Sequence, residues 1–176
     1  MTEKRVRAAV DRVSAHQFDG HGRRVFEQIS RLLAHEHARM RVGQVAVPFG
    51  ICTETANVKA GGQACPYKFT CLGCGHFRSD PSYLPELKSY LQQLLADRER
   101  IRAATDIQEW ARARLAPADE EITTLRQLIR RIETDLDTLT EQDRAQIAEA
   151  ISVIRKTRQT VTLGMPSIRP PTAEPR

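Results

Sequence analysis

The clearest hydrophobic pattern in the chain lies in its C-terminal third, after Pro117. Apolar residues recur there at alternating spacings of three and four, at Ile122, Leu125, Ile129, Ile132, Leu136 and Leu139. This spacing forms a heptad seam and predicts a long amphipathic helix. A stretch similar to a capping box, Thr140–Asp143, then begins a second helix with an apolar face of Ile147, Ile151, Ile154 and Val161. Because the connection is short, we expect residues 117–162 to form an antiparallel helical hairpin.

The N-terminal segment, residues 1–43, predicts two basic helices. The first runs from Thr2 to Ala15 and has an apolar face of Val6, Ala9, Val10 and Val13. A glycine-containing turn at Asp19–Gly22 ends it. The second helix follows from about Arg23 to Arg41, with Val25, Ile29, Leu32 and Leu33 facing inward.

Residues 81–116 predict a long helix followed by a short one. Apolar residues recur at Leu84, Leu87, Leu91, Leu94 and Ile101, which predicts a helix that ends near Ala104. Thr105 or Asp106 is a suitable cap for the short helix, which contains Trp110. The C-terminal tail, residues 163–176, is rich in proline, and we expect it to lack regular structure.

The segment between these helical parts, residues 44–80, shows no sustained periodicity. It begins with a short extended piece rich in valine and continues with glycine, cysteine and proline. A segment of this kind needs a stabilising element other than a hydrophobic core. The predicted fold is therefore mainly α: a helical domain with a loop-rich, cysteine-cluster metal knot and a C-terminal antiparallel helical hairpin.

All four cysteines of the chain lie in this segment, as Cys52-x12-Cys65-x5-Cys71-x2-Cys74, and His76 follows two residues later. Structural zinc takes four thiolate or imidazole ligands in a tetrahedron, and a C-x2-C step supplies two thiolates from one tight turn. We expect Gly73 and Gly75 to give this turn unusual backbone angles, as Gly61 and Gly62 do before Cys65. The predicted ligands of Zn²⁺ are the four cysteines, or three of them with His76. If all four cysteines bind the metal, His76 would donate a hydrogen bond to one of these ligands instead of binding the metal itself.

Two alternatives to zinc fit the same cysteines. Four thiolates also hold a [4Fe–4S] cluster, and the thiols could instead form disulfides or lie unligated in the core. The surrounding aromatic residues, Phe49, Tyr67, Phe69 and Phe77, are interpreted as packing around the metal knot. Their alternative role is to stack on the bases of single-stranded nucleic acid.

Composition and charge favour a helical protein with a polyanionic partner. Aromatic residues make up only 5% of the chain, so the core must be largely aliphatic. The formal net charge of +5 suits a nucleic acid. The predicted DNA contacts are the basic residues Lys4, Arg5, Arg7, Arg12, Arg23, Arg24, Lys59, Lys68 and Arg78. The alternative for each of these residues is a solvated position on the surface with no contact to DNA.

Neither a membrane segment nor a catalytic motif is found in the sequence. No apolar run approaches the roughly 18 residues that a membrane span requires, and the first residues do not resemble a secretory signal, so we expect a cytoplasmic protein. His35-Glu36-His37 lacks the spacing of H-E-x-x-H. His21 and Arg24 form an H-x-x-R fragment of a tyrosine-recombinase active site, which we interpret as a chance match because no nucleophilic tyrosine follows closely. The sequence therefore predicts no catalysis by this chain itself.

The cysteine segment carries a family resemblance. The stretches concerned are Val47–Glu54, Asn57–Gly62, Ala64–Pro66, Cys71–Cys74, His76–Arg78, Asp80–Pro85 and Leu163–Pro166. Together they resemble the C-terminal extension of large bacterial tyrosine recombinases, the integrases and transposases of mobile elements. In that family the catalytic domain precedes this region, so the resemblance implies an accessory role in binding DNA or in holding recombinase subunits together. It assigns no catalytic residue to this chain.

Two other function classes compete with this one. The first is a helical protein-interaction module, in which the seam at 122–139 pairs with another subunit rather than within the chain. The second is an iron–sulfur protein for redox or sensing. Light scattering addresses the first alternative, and the visible absorbance of protein purified without oxygen addresses the second.

Overall fold

The computed structural model describes residues 2–25, 44–67 and 70–159, and most of the described chain is helical. Its α-helices are α1 (Glu3–Ser14), α2 (Thr55–Lys59), α3 (Leu84–Ala103), α4 (Glu109–Leu115), α5 (Asp119–Asp137) and α6 (Glu141–Gln159). Its strands are β1 (Val45–Val47), β2 (Gly50–Cys52) and β3 (Phe77–Arg78), and short 3-10 helices cover Cys71–Gly73 and Pro81–Tyr83. The predicted mainly α class is confirmed, and no helix among the described residues is long and apolar enough to cross a membrane.

The main core lies between α5 and α3. The seam of α5 buries Ile122, Leu125, Leu128, Ile129 and Ile132 against Leu87 and Leu94 of α3, with Phe18 and Phe77 completing the cluster. The predicted long helices are confirmed here, since the apolar spacing of three and four places these side chains on one face. Ile122 and Leu125 are almost fully buried in this core. The seam therefore packs within the chain, and its central residues are not presented to another subunit.

A second, smaller core joins α1 to α6. Ala9 and Val13 of α1 pack against Ala150, Val153 and Ile154 of α6. Val10, predicted to face inward, is 44% exposed. The expected hairpin pairing of α5 with α6 is not seen over the described residues of the two helices, because α6 packs chiefly on α1 and α5 on α3. Ala9 on α1 and Ala150 on α6 are small residues in the core between these two helices. The larger side chains of the α5 seam pack instead against the leucines of α3.

The segment after α1 is extended and joins the cysteine region to the helical layer. Phe18 and Ser79 exchange two backbone hydrogen bonds of 2.8 Å, and Phe18 also pairs with Arg24. Arg24 and its neighbours 23 and 25 are therefore not helical, which corrects the start of the predicted second helix. The rest of that helix, His35–His37, Lys68, Phe69 and the tail at 163–176 lie outside the described residues.

A small antiparallel sheet brings the first cysteine beside the last two. The order of its strands is β1-β2-β3, with Val47 opposite Gly50 and Cys52 opposite Phe77. The tight turn between β1 and β2 places Phe49 at a φ of 66°, the one non-glycine residue with a positive φ in the described part of the chain. Because Phe77 follows Cys74 by three residues, this register places Cys52 near the C-x2-C turn.

Candidate metal centre

The four cysteines line a single small cavity. Cys52, Cys65, Cys71 and Cys74 share it with Val47, Asn57, Tyr67, Thr70 and Phe77. Its free volume is about 10 Å³, roughly the space that one water-sized sphere occupies. The side chains that line the cavity therefore lie close together. No disulfide joins the four cysteines, all of which are described.

Three separate pieces of chain deliver these thiols. Cys52 ends β2, and Cys65 follows a turn in which Gly61 and Gly62 have φ of 62° and 90°. Cys71 begins the 3-10 helix, and Cys74 follows its last residue. The unusual backbone angles expected at Gly61 and Gly62 are confirmed. For Gly73 and Gly75 the expectation is wrong, because neither is among the described glycines with positive φ. The C-x2-C step is instead closed by a 3-10 turn, in which the Cys74 N–H donates to the Cys71 carbonyl at 2.9 Å.

Backbone N–H groups point at two of the sulfurs. The N–H of Glu54 donates to Cys52 Sγ at 3.4 Å, and the N–H of His76 donates to Cys74 Sγ at 3.5 Å. In both cases the donor is two residues after the cysteine, so two distant parts of the chain repeat one local geometry. Hydrogen bonds of this kind favour the charged form of the acceptor. They therefore suit thiolates, the form in which cysteine binds a metal.

Without a metal, the environment of the cavity favours the neutral form of the Cys71 thiol. Burial raises the pKa of the Cys71 thiol, and the nearby thiols of Cys65, Cys52 and Cys74 raise that pKa further. Four thiolates would repel one another in this space, and a divalent ion removes the repulsion by binding all of them. The donor set of four sulfurs in a tight cavity fits zinc by its chemistry.

A buried amide also lines the cavity without a partner. Asn57 is fully buried, and neither its side-chain oxygen nor its side-chain nitrogen has a hydrogen-bond partner in the described structure. Its backbone N–H donates to Glu54 Oε2 at 2.6 Å, which fixes the start of α2. Leaving such an amide unsatisfied costs about 1–3 kcal/mol. A metal-bound thiolate across the cavity would accept a hydrogen bond from the Asn57 Nδ2–H and remove part of this cost.

His76 contributes through its backbone rather than through its ring. Its imidazole stacks on Tyr67 with ring centroids 5.8 Å apart, and it is not among the described residues that line the cavity. Its carbonyl accepts hydrogen bonds from the N–H of Thr53 at 3.0 Å and from the hydroxyl of Thr53 at 3.1 Å. Among the two predicted ligand sets, this arrangement favours the four cysteines.

The sulfurs themselves are not yet arranged as ligands. Within the described residues, no group of three or more histidine, cysteine, aspartate or glutamate side chains is placed to hold a metal ion. Zinc in this cavity would have to draw the four sulfurs inward into a tetrahedron. The zinc assignment and the ligand set therefore stay predictions that rest on the shared cavity and on the chemistry of its donors.

The aromatic residues near the cysteines divide into two groups. Phe77 is 1% exposed, and Phe49 stacks on Tyr90 with centroids 4.8 Å apart, so both pack in the interior as expected. Tyr67 is 48% exposed and keeps a ring at the surface. The ring of Tyr67 is therefore accessible for stacking on a base, whereas the buried ring of Phe77 is not.

The structure separates the predicted basic residues by their contacts. Arg78 is half-buried and donates to the carbonyls of Gly75 and Phe77, both at 2.7 Å, which gives it a role in holding the cysteine turn. Three exposed arginines form ion pairs: Arg5 with Glu149, Arg7 with Glu3 and Arg24 with Asp135. Four exposed residues form no ion pair within the described chain: Lys4, Arg12, Arg23 and Lys59.

Sequence reasoning missed three residues that the structure brings to these surfaces. Asn57 gave no signal because a polar residue in a short helix is ordinarily exposed. Arg130 and Arg131 lie on the outer face of the seam helix, where charge is expected on any amphipathic helix. Only the tertiary structure shows that Arg23 and Arg24 face the same cleft as Arg131.

Comparisons with protein-family models, with curated proteins and with solved structures found no match to this chain. The functional argument therefore rests on the cysteine cavity, on the basic surface and on the resemblance of the cysteine block.

Replacing Asn57 with leucine is expected to loosen the metal without weakening the metal-free fold. Leucine fills a similar volume and removes the unpartnered amide, so the free energy of unfolding without metal should stay unchanged or rise. Loss of a hydrogen bond to a metal-bound ligand typically lowers metal affinity about 10–100-fold. Competition with a coloured zinc chelator measures the affinity, and urea denaturation in excess EDTA measures the fold. Equal zinc affinity in Asn57→Leu and the wild type would contradict this role.

Proposed function

We propose that this chain is a zinc-stabilised accessory region of a site-specific integrase or transposase, which binds DNA and supports assembly without performing catalysis itself. The observation that carries the proposal is the convergence of Cys52, Cys65, Cys71 and Cys74 on one small cavity. The same cysteine block carries the resemblance to the C-terminal extension of tyrosine recombinases. When bound, zinc would cross-link three pieces of chain that have little apolar area of their own.

The role of such a cross-link is mechanical. The cysteine region lies against the main core through Phe77, and Cys71, Leu72 and Cys74 pack on that core. Fixing the cysteines therefore fixes the position of the 3-10 turn relative to α5. A region built in this way can hold basic side chains in a constant arrangement while DNA is bound, which lowers the entropy lost on association.

DNA is the proposed partner because the unpaired basic side chains are exposed and the net charge is +5. Phosphate contacts release counterions, so the logarithm of the affinity falls with the logarithm of the salt concentration by about 0.9 per contact. They would position the protein on the duplex without reading its sequence. Assembly with recombinase subunits would follow from the accessory role.

Two measurements test the proposal. Elemental analysis of the purified protein should give one zinc per chain, whereas brown colour and bound iron would support the iron–sulfur alternative. Fluorescence anisotropy with a labelled duplex should show binding at 50 mM salt that weakens by at least about tenfold at 200 mM, as expected for several phosphate contacts. Absence of binding at 50 mM would reject the DNA-binding function.

A protein-interaction module is the second candidate, and the short helix α4 favours it. Trp110 and Leu115 on α4 are 63% and 60% exposed. Tryptophan is enriched among the residues that carry most of the binding energy of protein interfaces. If Trp110→Ser abolishes an oligomer seen by light scattering, interaction is a function of this helix. A monomer in the wild type at high concentration leaves self-association unsupported.

A further inference from the structure

A basic cleft lies between the turn after α1 and the outer face of α5. Its volume is about 630 Å³, and its walls include His21, Arg23 and Arg24 from the turn and Arg131 from α5. An adjoining cleft of about 480 Å³ shares His21 and Arg131 and adds Arg130. The two clefts also share Gln127 and Thr134, so they form one continuous surface. None of the α5 residues was a predicted DNA contact.

Local hydrogen bonds fix the shape of the turn, which lies close against α5. Asp19 Oδ1 accepts from the N–H of His21 at 3.0 Å and from the N–H of Arg23 at 2.8 Å. Gly22 has a φ of +74°, and a Cβ at this position would lie 2.8 Å from Arg131 Cγ. Glycine therefore permits both the backbone conformation and the close approach of the turn to α5. As a result, the two basic walls of the cleft have a fixed separation.

The charge of the cleft is strongly positive and is not neutralised from within. Asp135 is the one acidic residue among the described residues that line the two clefts. It is already engaged, by Arg24 at 3.1 Å and by His16 Nδ1 at 2.6 Å. Arg23, Arg130 and Arg131 are exposed, and none of them forms an ion pair with a described acidic residue. Arginines that line one cleft repel one another, and an anion bound between them removes this repulsion.

We propose that this cleft binds the phosphodiester backbone of duplex DNA, with Arg130 and Arg131 on one wall and Arg23 on the other. This inference rests on the proposed DNA-binding function and names its site. Guanidinium groups suit phosphate because their planar fork of donors matches two phosphate oxygens. Gln127 and Thr134 add neutral donors, which are common partners of phosphate and sugar oxygens. Contacts of this kind to phosphate position the chain on DNA without selecting a sequence.

The test compares two charge-matched double variants of the full chain. Arg130→Gln with Arg131→Gln removes two charges from the cleft. Arg100→Gln with Arg102→Gln removes two charges from exposed positions on α3, where these arginines pair with Asp97 and Glu99. Fluorescence anisotropy with a labelled 20-base-pair duplex gives the Kd at several salt concentrations, and circular dichroism confirms that both variants fold.

The cleft variant should bind at least about tenfold more weakly at 50 mM salt, with a salt slope shallower by about 2. Arg23→Gln should act in the same direction, with a slope shallower by about 1. The α3 variant should stay within about twofold of the wild type. If the wild type binds DNA and the cleft and α3 variants behave alike, the cleft is the wrong site and the proposed function stands. If the wild type does not bind even at 50 mM salt, both proposals are overturned.

Discussion

Replacing Cys71 and Cys74 together with serine should remove the bound metal and unfold the cysteine region while most helix is kept. Serine hydroxyls do not replace thiolates as zinc ligands at neutral pH. Apparent binding energies of structural zinc are about 10–16 kcal/mol, as large as the stability of a whole domain, about 5–15 kcal/mol. The helices retain packing of their own, between α5 and α3 and between α1 and α6, although the first of these cores loses Phe77 of the cysteine region. We therefore expect a local loss of structure followed by a lower thermal midpoint.

Elemental analysis, far-ultraviolet circular dichroism and hydrogen exchange together measure this result. The variant should hold no zinc, keep most of its helical signal and lose amide protection between residues 45 and 79. Thr70→Ser is a suitable control, because it changes the residue next to Cys71 while keeping the hydroxyl that donates to the Tyr67 carbonyl at 2.7 Å. A double cysteine variant that melts at the same temperature as metal-loaded wild type would reject the structural-metal assignment.

Gly20→Ala should destabilise the protein and weaken the metal site from a distance. A Cβ on Gly20 would lie 2.1 Å from the carbonyl oxygen of Leu72, which is backbone and cannot rotate away. Overpacking of this kind costs about 1–3 kcal/mol and occasionally more, and we expect the upper part of that range. Because Leu72 lies between Cys71 and Cys74, relieving the contact must shift the turn that carries both thiols.

The matched control for this prediction is Gly73→Ala. Gly73 lies in the cysteine turn itself, yet a Cβ there would meet nothing within 4 Å. Its φ is not positive, so alanine is compatible with its backbone. Urea denaturation should give a change of about 0.5 kcal/mol or less for Gly73→Ala, and zinc release to a chelator should be faster only in Gly20→Ala. Equal behaviour of the two variants would show that the contact between Gly20 and Leu72 does not support the site.

The helices could be predicted from the sequence, whereas their partners could not. The spacing of Leu84, Leu87, Leu91 and Leu94 predicts α3 to within one residue at its end, because helix periodicity is a local property. The local sequence does not determine which helix packs its apolar face against which other helix. The short connection after α5 favoured a hairpin, but the space beside the seam is filled by α3 and by Phe18 and Phe77, which come from distant parts of the chain.

The cysteine cavity was predictable only in part. The C-x2-C spacing is enough to place Cys71 and Cys74 together, and the pair of glycines before Cys65 correctly indicated unusual backbone angles. The approach of Cys52 depends on the register of β2 against β3, which the sequence does not state. The role of glycine was also misjudged. Gly73 was expected to give the cysteine turn unusual backbone angles, whereas the described glycines at which a side chain would meet backbone include Gly20, in a turn outside the cysteine region.

The pairing of Phe18 with Ser79 has a further consequence for the sheet. A strand at the edge of a sheet presents unpaired N–H and C=O groups and is a template for association with other chains. Phe18 occupies these groups where β3 ends, by its two hydrogen bonds to Ser79. The opposite edge is β1, which pairs with β2 alone among the described strands. Any extended peptide that joined this sheet by strand addition would therefore enter beside Val45–Val47, and the three residues there would limit the length of the match.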